Sequence, residues 1–259
     1  MSSLKQLFDL NGQIAIVSGG SRGLGQQICE ALGEYGAHVV VVARKQAELN
    51  LAVEALTAKG YSAQGVAADL ADVEAPRALV ERVLAEHGQI DILVNNAGVS
   101  WGGPAEDHAL AGWNKVMALN LTSLFLLAQA AAKASMIPRR TGRIINMASV
   151  EGLKAHAAPM IGTVAYNTSK GGVVNMTRAL AAEWGPYGIN VNAIAPGYFP
   201  SKMTHGVIEE HEPHLLAHTP LGKLGGPSDI KGAALLLASA AGGHITGQTL
   251  AIDGGWTAI

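Results

Sequence analysis

Seven short apolar runs recur along the chain, separated by longer mixed stretches: IAIVS (14–18), HVVVVA (38–43), SAQGVA (62–67), IDILVN (90–95), GRIINMA (142–148), INVNAIA (189–195) and QTLAID (248–253). Most are β-branched and nearly continuous in apolar character, the pattern of strands covered on both faces. Between them, 22–35, 45–59, 73–87, 112–137, 166–185 and 228–240 read as helices. Strict alternation of strand and helix predicts parallel pairing with right-handed crossovers. No linker, composition shift or internal repeat marks a second domain.

The predicted fold is therefore α/β: one doubly wound, Rossmann-like domain over residues 1–259, with about seven parallel strands and helices on both faces. In such sheets ligands bind beyond the carboxyl ends of the strands. Candidate residues should then fall just after the apolar runs.

The first run leads into SGGSRGLG, residues 18–25, which opens the first helix. Gly19, Gly23 and Gly25 follow G-x-x-x-G-x-G and not the strict G-x-G-x-x-G fingerprint. The physics is shared, because glycines allow a tight turn and let amides at a helix N-terminus face a pyrophosphate. An ordinary glycine-rich turn has the same composition; the position after the first strand favours a dinucleotide site, with Ser21, Arg22 and Leu24 as further contacts.

An acid about 20 residues on normally takes the ribose 2'-hydroxyl of such a ligand. Here the second strand ends Ala43, Arg44, Lys45, and no acid precedes Glu48. Arg44 offers a planar fork to a 2'-phosphate and Arg22 can approach the same group, which favours NADP(H) over NAD(H). As a bare surface charge, Arg22 would sit unfavourably at the positive end of a helix dipole. Asp69, followed by Leu70, can accept from an adenine amino group; Asp69 or Asp72 could equally cap the next helix. Asn96 and Gly98, within NNAG (95–98), bring backbone close to the ligand or form a simple asparagine–glycine turn.

Composition narrows the classes. With 259 residues, 49% hydrophobic and 15% charged, the chain can bury a large core. A net charge of -2 without basic runs argues against nucleic acid as a partner. The single cysteine, Cys29, and an N-terminus without the character of a signal peptide point to a reducing cytoplasm. VMALNLTSLFLLAQAAAKA carries Asn120, Thr122, Ser123 and Gln129, short of the ~18 uninterrupted apolar residues of a membrane span, and reads as a buried helix.

TVAYNTSKGG places Tyr166 and Lys170 one helical turn apart on one face. Such a pair occurs by chance on many exposed helices, and Ser149, after the fifth strand, could simply cap a helix. Together with SGGSRGLG, NNAG, NMASVEG and the APG of residues 195–197, however, YNTSK resembles the short-chain dehydrogenase/reductase family in its compact form. The resemblance extends in order to TGQTLAIDGG at 246–255. The segment around YNTSK is similar to gluconate 5-dehydrogenase-like members and to 3-oxoacyl thioester reductase members.

That resemblance implies a catalytic tetrad of Asn120, Ser149, Tyr166 and Lys170, with Tyr166 and Lys170 also touching the cofactor. Reduction of a ketone needs a proton on the developing alkoxide, which a tyrosine hydroxyl can supply. Bringing a tyrosine from its usual value near 10 to about 7 needs roughly 4 kcal/mol, for which Lys170, helped by the positive nicotinamide of the oxidised complex, is the expected source. Ser149 would bond the substrate oxygen, and Asn120, in mid-helix, would hold water linking Lys170 to solvent. Pro196 and Gly197 would border the nicotinamide, the Phe199 backbone would hold its carboxamide, and Ser201 would touch a phosphate. The family also implies a homotetramer, in keeping with helices apolar around more than one stripe.

Residues 198–222 form the expected lid, polar and mobile, over a small carbonyl or alcohol substrate. In it His211, His214 and His218 have helical spacing, but Pro213 should interrupt that helix after its first turn; a solvated face and no metal is the reading adopted. Trp101, after NNAGVS, either walls the pocket or simply packs. Ser149 and Tyr166 lie 17 positions apart, a few more than in most of the family, and the extra residues in GLKAHAAPMIGT, with Glu151, Lys154 and His156 nearby, could shape the pocket. Three other readings stay open: a redox sensor that keeps the cofactor site, an NAD(H)-dependent sugar-acid or polyol dehydrogenase, and an isomerase or dehydratase that uses the cofactor transiently.

Overall fold

The computed structural model describes residues 2–156 and 160–259; Ala157, Ala158 and Pro159 of the inserted stretch lie outside the described residues. Strands β1 (Ile14–Ser18), β2 (His38–Ala43), β3 (Ala63–Ala67), β4 (Ile92–Asn95), β5 (Gly142–Met147), β6 (Ile189–Pro196) and β7 (Thr249–Ile252) form one sheet in the order β3-β2-β1-β4-β5-β6-β7. Every adjacent pair is parallel. All seven predicted runs become strands, with ends within two residues of those read from the sequence.

Continuous apolar runs are needed because the sheet is covered twice. Val39 and Val41 pack on one face with Val17, Ile28, Leu32 and Leu235. Val40 and Val42, pointing the other way, pack with Ile16, Leu79, Leu127 and Ile144. Burying one such side chain stabilises by about 1.5–3 kcal/mol, so β2 contributes to the core on both faces of the sheet.

The helices are α1 (Leu4–Leu7), α2 (Gly23–Glu34), α3 (Gln46–Thr57), α4 (Ala75–His87), α5 (Leu110–Arg139), α6 (Val164–Trp184), α7 (His205–Ala217) and α8 (Lys231–Ala238). Helix α5 is long and apolar enough to cross a membrane by composition, yet Leu127, Ala128, Ala131 and Met136 pack under the sheet. It is longer than the predicted 112–137 and contains two π-helical turns, Ala118–Thr122 and Ala132–Met136.

Helix α7 departs from expectation. It runs unbroken through Pro213. Val207 and Ile208 before the proline and Leu215 after it all pack into one cluster with Val150, Met160 and Trp256, and this burial on both sides outweighs the local penalty of proline.

Strand order reverses between β1 and β4. The segments leaving these two neighbours diverge at their carboxyl ends, so the glycine loop after β1 and the NNAG segment after β4 face each other across the crevice. Beneath it, Asn95 donates to Asn146 at 3.0 Å and Asn146 to Thr177 at 3.0 Å, a buried polar ladder that joins β4, β5 and α6.

Candidate active site

The glycine loop uses backbone that residues with a Cβ rarely adopt. Gly19 and Gly23 have φ of 64° and 56°, in the left-handed region. A Cβ on Gly25 would run into the Gly19 carbonyl and the Asn96 amide, so α2 starts hard against the turn. Asn96 Nδ2 donates to the Ser18 and Gly19 carbonyls at 3.0 Å each, and its backbone N–H donates to Ser18 Oγ at 2.9 Å. The Asn96 side chain thus shapes the loop from within. Ser21 and Leu24 are partly exposed on the loop, while Leu70 is buried beside the crevice.

One charged candidate, Arg22, has a partner that the sequence reading did not name. Arg22 Nη1 lies 3.2 Å from Glu48 Oε2, and the same carboxylate takes Lys45 at 3.4 Å, so Arg22 is already neutralised by an acid 26 residues away. Arg44 is exposed and makes no ion pair among the described residues. Asp69 Oδ1 accepts from the Ala71 N–H at 3.1 Å and Asp72 Oδ1 from the Glu74 N–H at 3.1 Å. Both shape the turn ahead of α4, which begins at Ala75 without a side-chain cap.

The four tetrad positions converge above β4 and β5. Ser149 opens a 3-10 turn, Val150–Gly152, directly after β5. Tyr166 is in the first turn of α6, and Lys170, one turn on, donates from Nζ to the Met147 carbonyl at 2.6 Å. A Cβ on Gly98 would lie 3.3 Å from Asn120 Oδ1 and 3.8 Å from Lys170 Nζ, so NNAG leads straight into this centre.

Burial pushes the Tyr166 phenol up to about 12; the Ser149 hydroxyl opposes that shift and the Glu151 charge adds to it. Burial also pushes Lys170 down to about 8. The Lys170 ammonium is anchored on Met147, 5.6 Å from the Tyr166 ring centroid, and burial disfavours its charge. Asn120 makes a full set of side-chain bonds. It occupies the first π-turn, fully buried, with Oδ1 accepting from the Val99 N–H at 2.8 Å and Nδ2 donating to the Val99 carbonyl at 2.9 Å and to Ser169 Oγ at 3.1 Å. Its amide holds the segment after NNAG against α6.

Residues 19–257 match the family described as enoyl-(acyl carrier protein) reductase. Gluconate 5-dehydrogenase of Gluconobacter oxydans is 37% identical over 97% of each chain. Galactitol 2-dehydrogenase of Rhizobium johnstonii is 40% identical over 98% of this chain and 99% of its own. A crystal structure of a gluconate 5-dehydrogenase from Burkholderia cenocepacia, in complex with NADP and tartrate, superposes with a TM-score of 0.92 at 35% identity, covering 99% of this chain and 100% of that one. The chain belongs to the short-chain dehydrogenase/reductase family.

In this short-chain dehydrogenase/reductase, β6 ends at Pro196, and the Gly197 N–H donates to the Ile252 carbonyl at 3.0 Å. Phe199 is buried, its ring packed against Gly225. Ser201 Oγ lies 2.9 Å from Thr204 Oγ1, and a Cβ on Gly23 would sit 3.9 Å from Ser201, which sets this serine opposite the glycine loop. His214 stacks on His218 with ring centroids 4.1 Å apart, and His218 lies 6.0 Å from Trp256. Among the described residues no three His, Cys, Asp or Glu side chains are grouped to hold a metal.

The insert and the loop after NNAG meet over the centre of this dehydrogenase/reductase, where the Gly103 N–H donates to the Gly162 carbonyl at 2.9 Å. Trp101, 39% exposed, packs on Gly112 with Lys115 Nζ 5.5 Å from its ring, a rim position. Two residues escaped the sequence reading. Asn167 donates to Glu151 Oε2 at 2.7 Å and Tyr198 donates to Glu151 Oε1 at 2.9 Å. The available signals were an amide directly after Tyr166 and a tyrosine directly after Gly197.

Proposed function

We propose that this oxidoreductase interconverts a ketone and a secondary alcohol with NADP(H), Tyr166 giving its proton to the carbonyl oxygen during reduction and taking it back during oxidation. The observation that carries the reading is the convergence of Ser149, Tyr166, Lys170 and Gly98 beyond the strand ends, beside a glycine cradle in which a Cβ on Gly25 has no room. The residues fit a nicotinamide dinucleotide, which when bound supplies the two electrons that reach the carbonyl carbon. Gly19, Ser21, Gly23, Leu24 and Gly25 would hold its pyrophosphate at the positive end of α2, with Ser201 opposite. Asp69, Leu70 and Asn96 border the adenosine side, and Pro196, Gly197 and Phe199 the nicotinamide side.

Ser149 steadies the charge that grows on the substrate oxygen, since a hydroxyl fixed at the start of a rigid turn needs no reorganisation to do so. Lys170, which burial makes easier to deprotonate, is placed to exchange protons near the phenol and to stabilise it electrostatically. Asn120 positions the backbone that carries Gly98. A preference for NADP(H) rests on exposed Arg44, joined by Arg22 once a 2'-phosphate draws it from Glu48. We further assign a single catalytic domain, the segment 198–222 as its lid, a cytoplasmic setting and a homotetramer.

The test is reductive turnover of 5-keto-gluconate, a 3-oxoacyl thioester, a β-keto ester and an aromatic ketone, each with NADPH and with NADH. The expected result is turnover of at least one ketone with kcat/KM at least tenfold higher for NADPH. Tight NADPH binding with no ketone reduced supports a sensor instead, and equal use of both cofactors removes the role given to Arg44.

A further inference from the structure

Glu151 belongs to the turn that Ser149 opens, and its carboxylate is a junction whose charge is already paired. His156 Nδ1 lies 2.8 Å from each of its oxygens, and both side chains are 8% exposed. Asn167 Nδ2 donates to Oε2 at 2.7 Å, and Asn167 Oδ1 accepts from Thr163 Oγ1 at 2.7 Å, which ties the junction to the start of α6. The turn itself is seated on that helix. The Glu151 N–H donates to Ser149 Oγ at 3.2 Å, and a Cβ on Gly152 would lie 2.6 Å from the Lys170 carbonyl carbon. Ser149, Tyr166 and Lys170 thus share one block, and Glu151 Oε1 offers that block a lone pair for a donor from elsewhere.

The donor is Tyr198. It lies between Gly197 and Phe199, just after β6, in the stretch assigned above to the nicotinamide side. Its hydroxyl donates to Glu151 Oε1 at 2.9 Å, across 47 residues of sequence. The ring stands edge-on to Trp256 with centroids 5.1 Å apart, and the Tyr198 carbonyl accepts from the Gly225 N–H at 2.9 Å, so ring and backbone are both held. Burial, and after it the Glu151 charge, push the Tyr198 phenol up, which keeps the proton on the oxygen that donates. Among the described residues no other side-chain hydrogen bond joins 149–152 to 197–199.

We infer that Tyr198 is a positioning residue: its bond to Glu151 locks the segment bordering the nicotinamide to the block that carries Ser149, Tyr166 and Lys170, and so sets the distance between the substrate carbonyl and the nicotinamide. The inference rests on the reductase reading above and adds to it the residue pair that fixes this distance. Reacting atoms must approach to about 3–3.5 Å, and a displacement of about 1 Å can cost ~100-fold in rate. The link therefore acts on the chemical step, while the groups that bind substrate and cofactor stay in place.

The test uses Y198F, which keeps the ring on Trp256 and removes only the donor, together with E151A and the double variant, on the ketone that wild type reduces best with NADPH. Y198F should lower kcat by about tenfold or more, with KM for the ketone and Kd for NADPH within about threefold of wild type. Adding Y198F to E151A should lower kcat by less than about twofold further, because the acceptor is already gone. An unchanged kcat in Y198F, a loss confined to KM, or losses that multiply in the double variant overturn the inference. A readout without turnover is amide hydrogen exchange of the whole protein, free and with NADPH: Y198F should quicken exchange by about fivefold or more in both 149–152 and 197–199. Exchange equal to wild type overturns the inference, and this comparison decides it if E151A does not fold. Should wild type reduce no ketone, the reductase reading fails, and the exchange comparison alone then decides whether Tyr198 holds the two segments together.

Discussion

The Asn96 amide binds two consecutive carbonyls of the glycine turn, Ser18 and Gly19, at 3.0 Å each. One side chain after β4 thereby sets the curvature of a loop after β1. Each such bond contributes about 0.5–1.5 kcal/mol net, so Asn96→Ala should cost roughly 1–3 kcal/mol of stability. It should also weaken NADPH binding at least tenfold, read by denaturant melts and by cofactor fluorescence titration. Unchanged affinity in a folded variant would contradict the role given to Asn96.

Glu48 competes for the arginine that a 2'-phosphate would need. Exposed ion pairs are worth at most about 1 kcal/mol, so Glu48→Gln should tighten NADPH binding by no more than about fivefold and leave NADH unchanged. Equal tightening of both cofactors would show that Arg22 does not meet the 2'-phosphate.

Lys170 gives a pH signature in stability. Burial lowers it to about 8, below its usual value of about 10.4. Between those values the unfolded chain holds a proton that the folded chain lacks, so stability rises as pH climbs through the window; below it the cost of the buried ammonium is fully present. Lys170→Met has no such proton. Relative to wild type, the variant should therefore lose about 2–3 kcal/mol on going from pH 7 to pH 10. Urea titrations at the two pH values measure this, and a constant gap would contradict the depressed value.

The sheet was legible because its chemistry is local. Val39, Val40, Val41 and Val42 are all fully buried, so β2 must be apolar at every position, and a reader of the sequence sees an uninterrupted run. The glycine loop and the Tyr166–Lys170 turn are local too. What escaped depends on partners far apart in sequence. Arg22 and Glu48 are 26 residues apart, and Glu151 finds Asn167 and Tyr198 at separations of 16 and 47. Pro213 is a local signal that tertiary packing of Val207, Ile208 and Leu215 overrode. Asn120 was singled out, but a π-turn, which swings its amide onto Val99, has no signature in a pattern of period 3.6.

The most direct test of Tyr166 as proton donor is the Tyr166→Phe variant, assayed for ketone reduction with NADPH alongside its NADPH affinity. Removing a general acid that acts in the transition state should lower kcat by roughly 10²–10⁴. NADPH affinity should stay within about threefold of wild type, an energy difference of only ~0.7 kcal/mol. A variant that binds NADPH normally and still reduces the ketone at the wild-type rate would contradict the assignment of Tyr166.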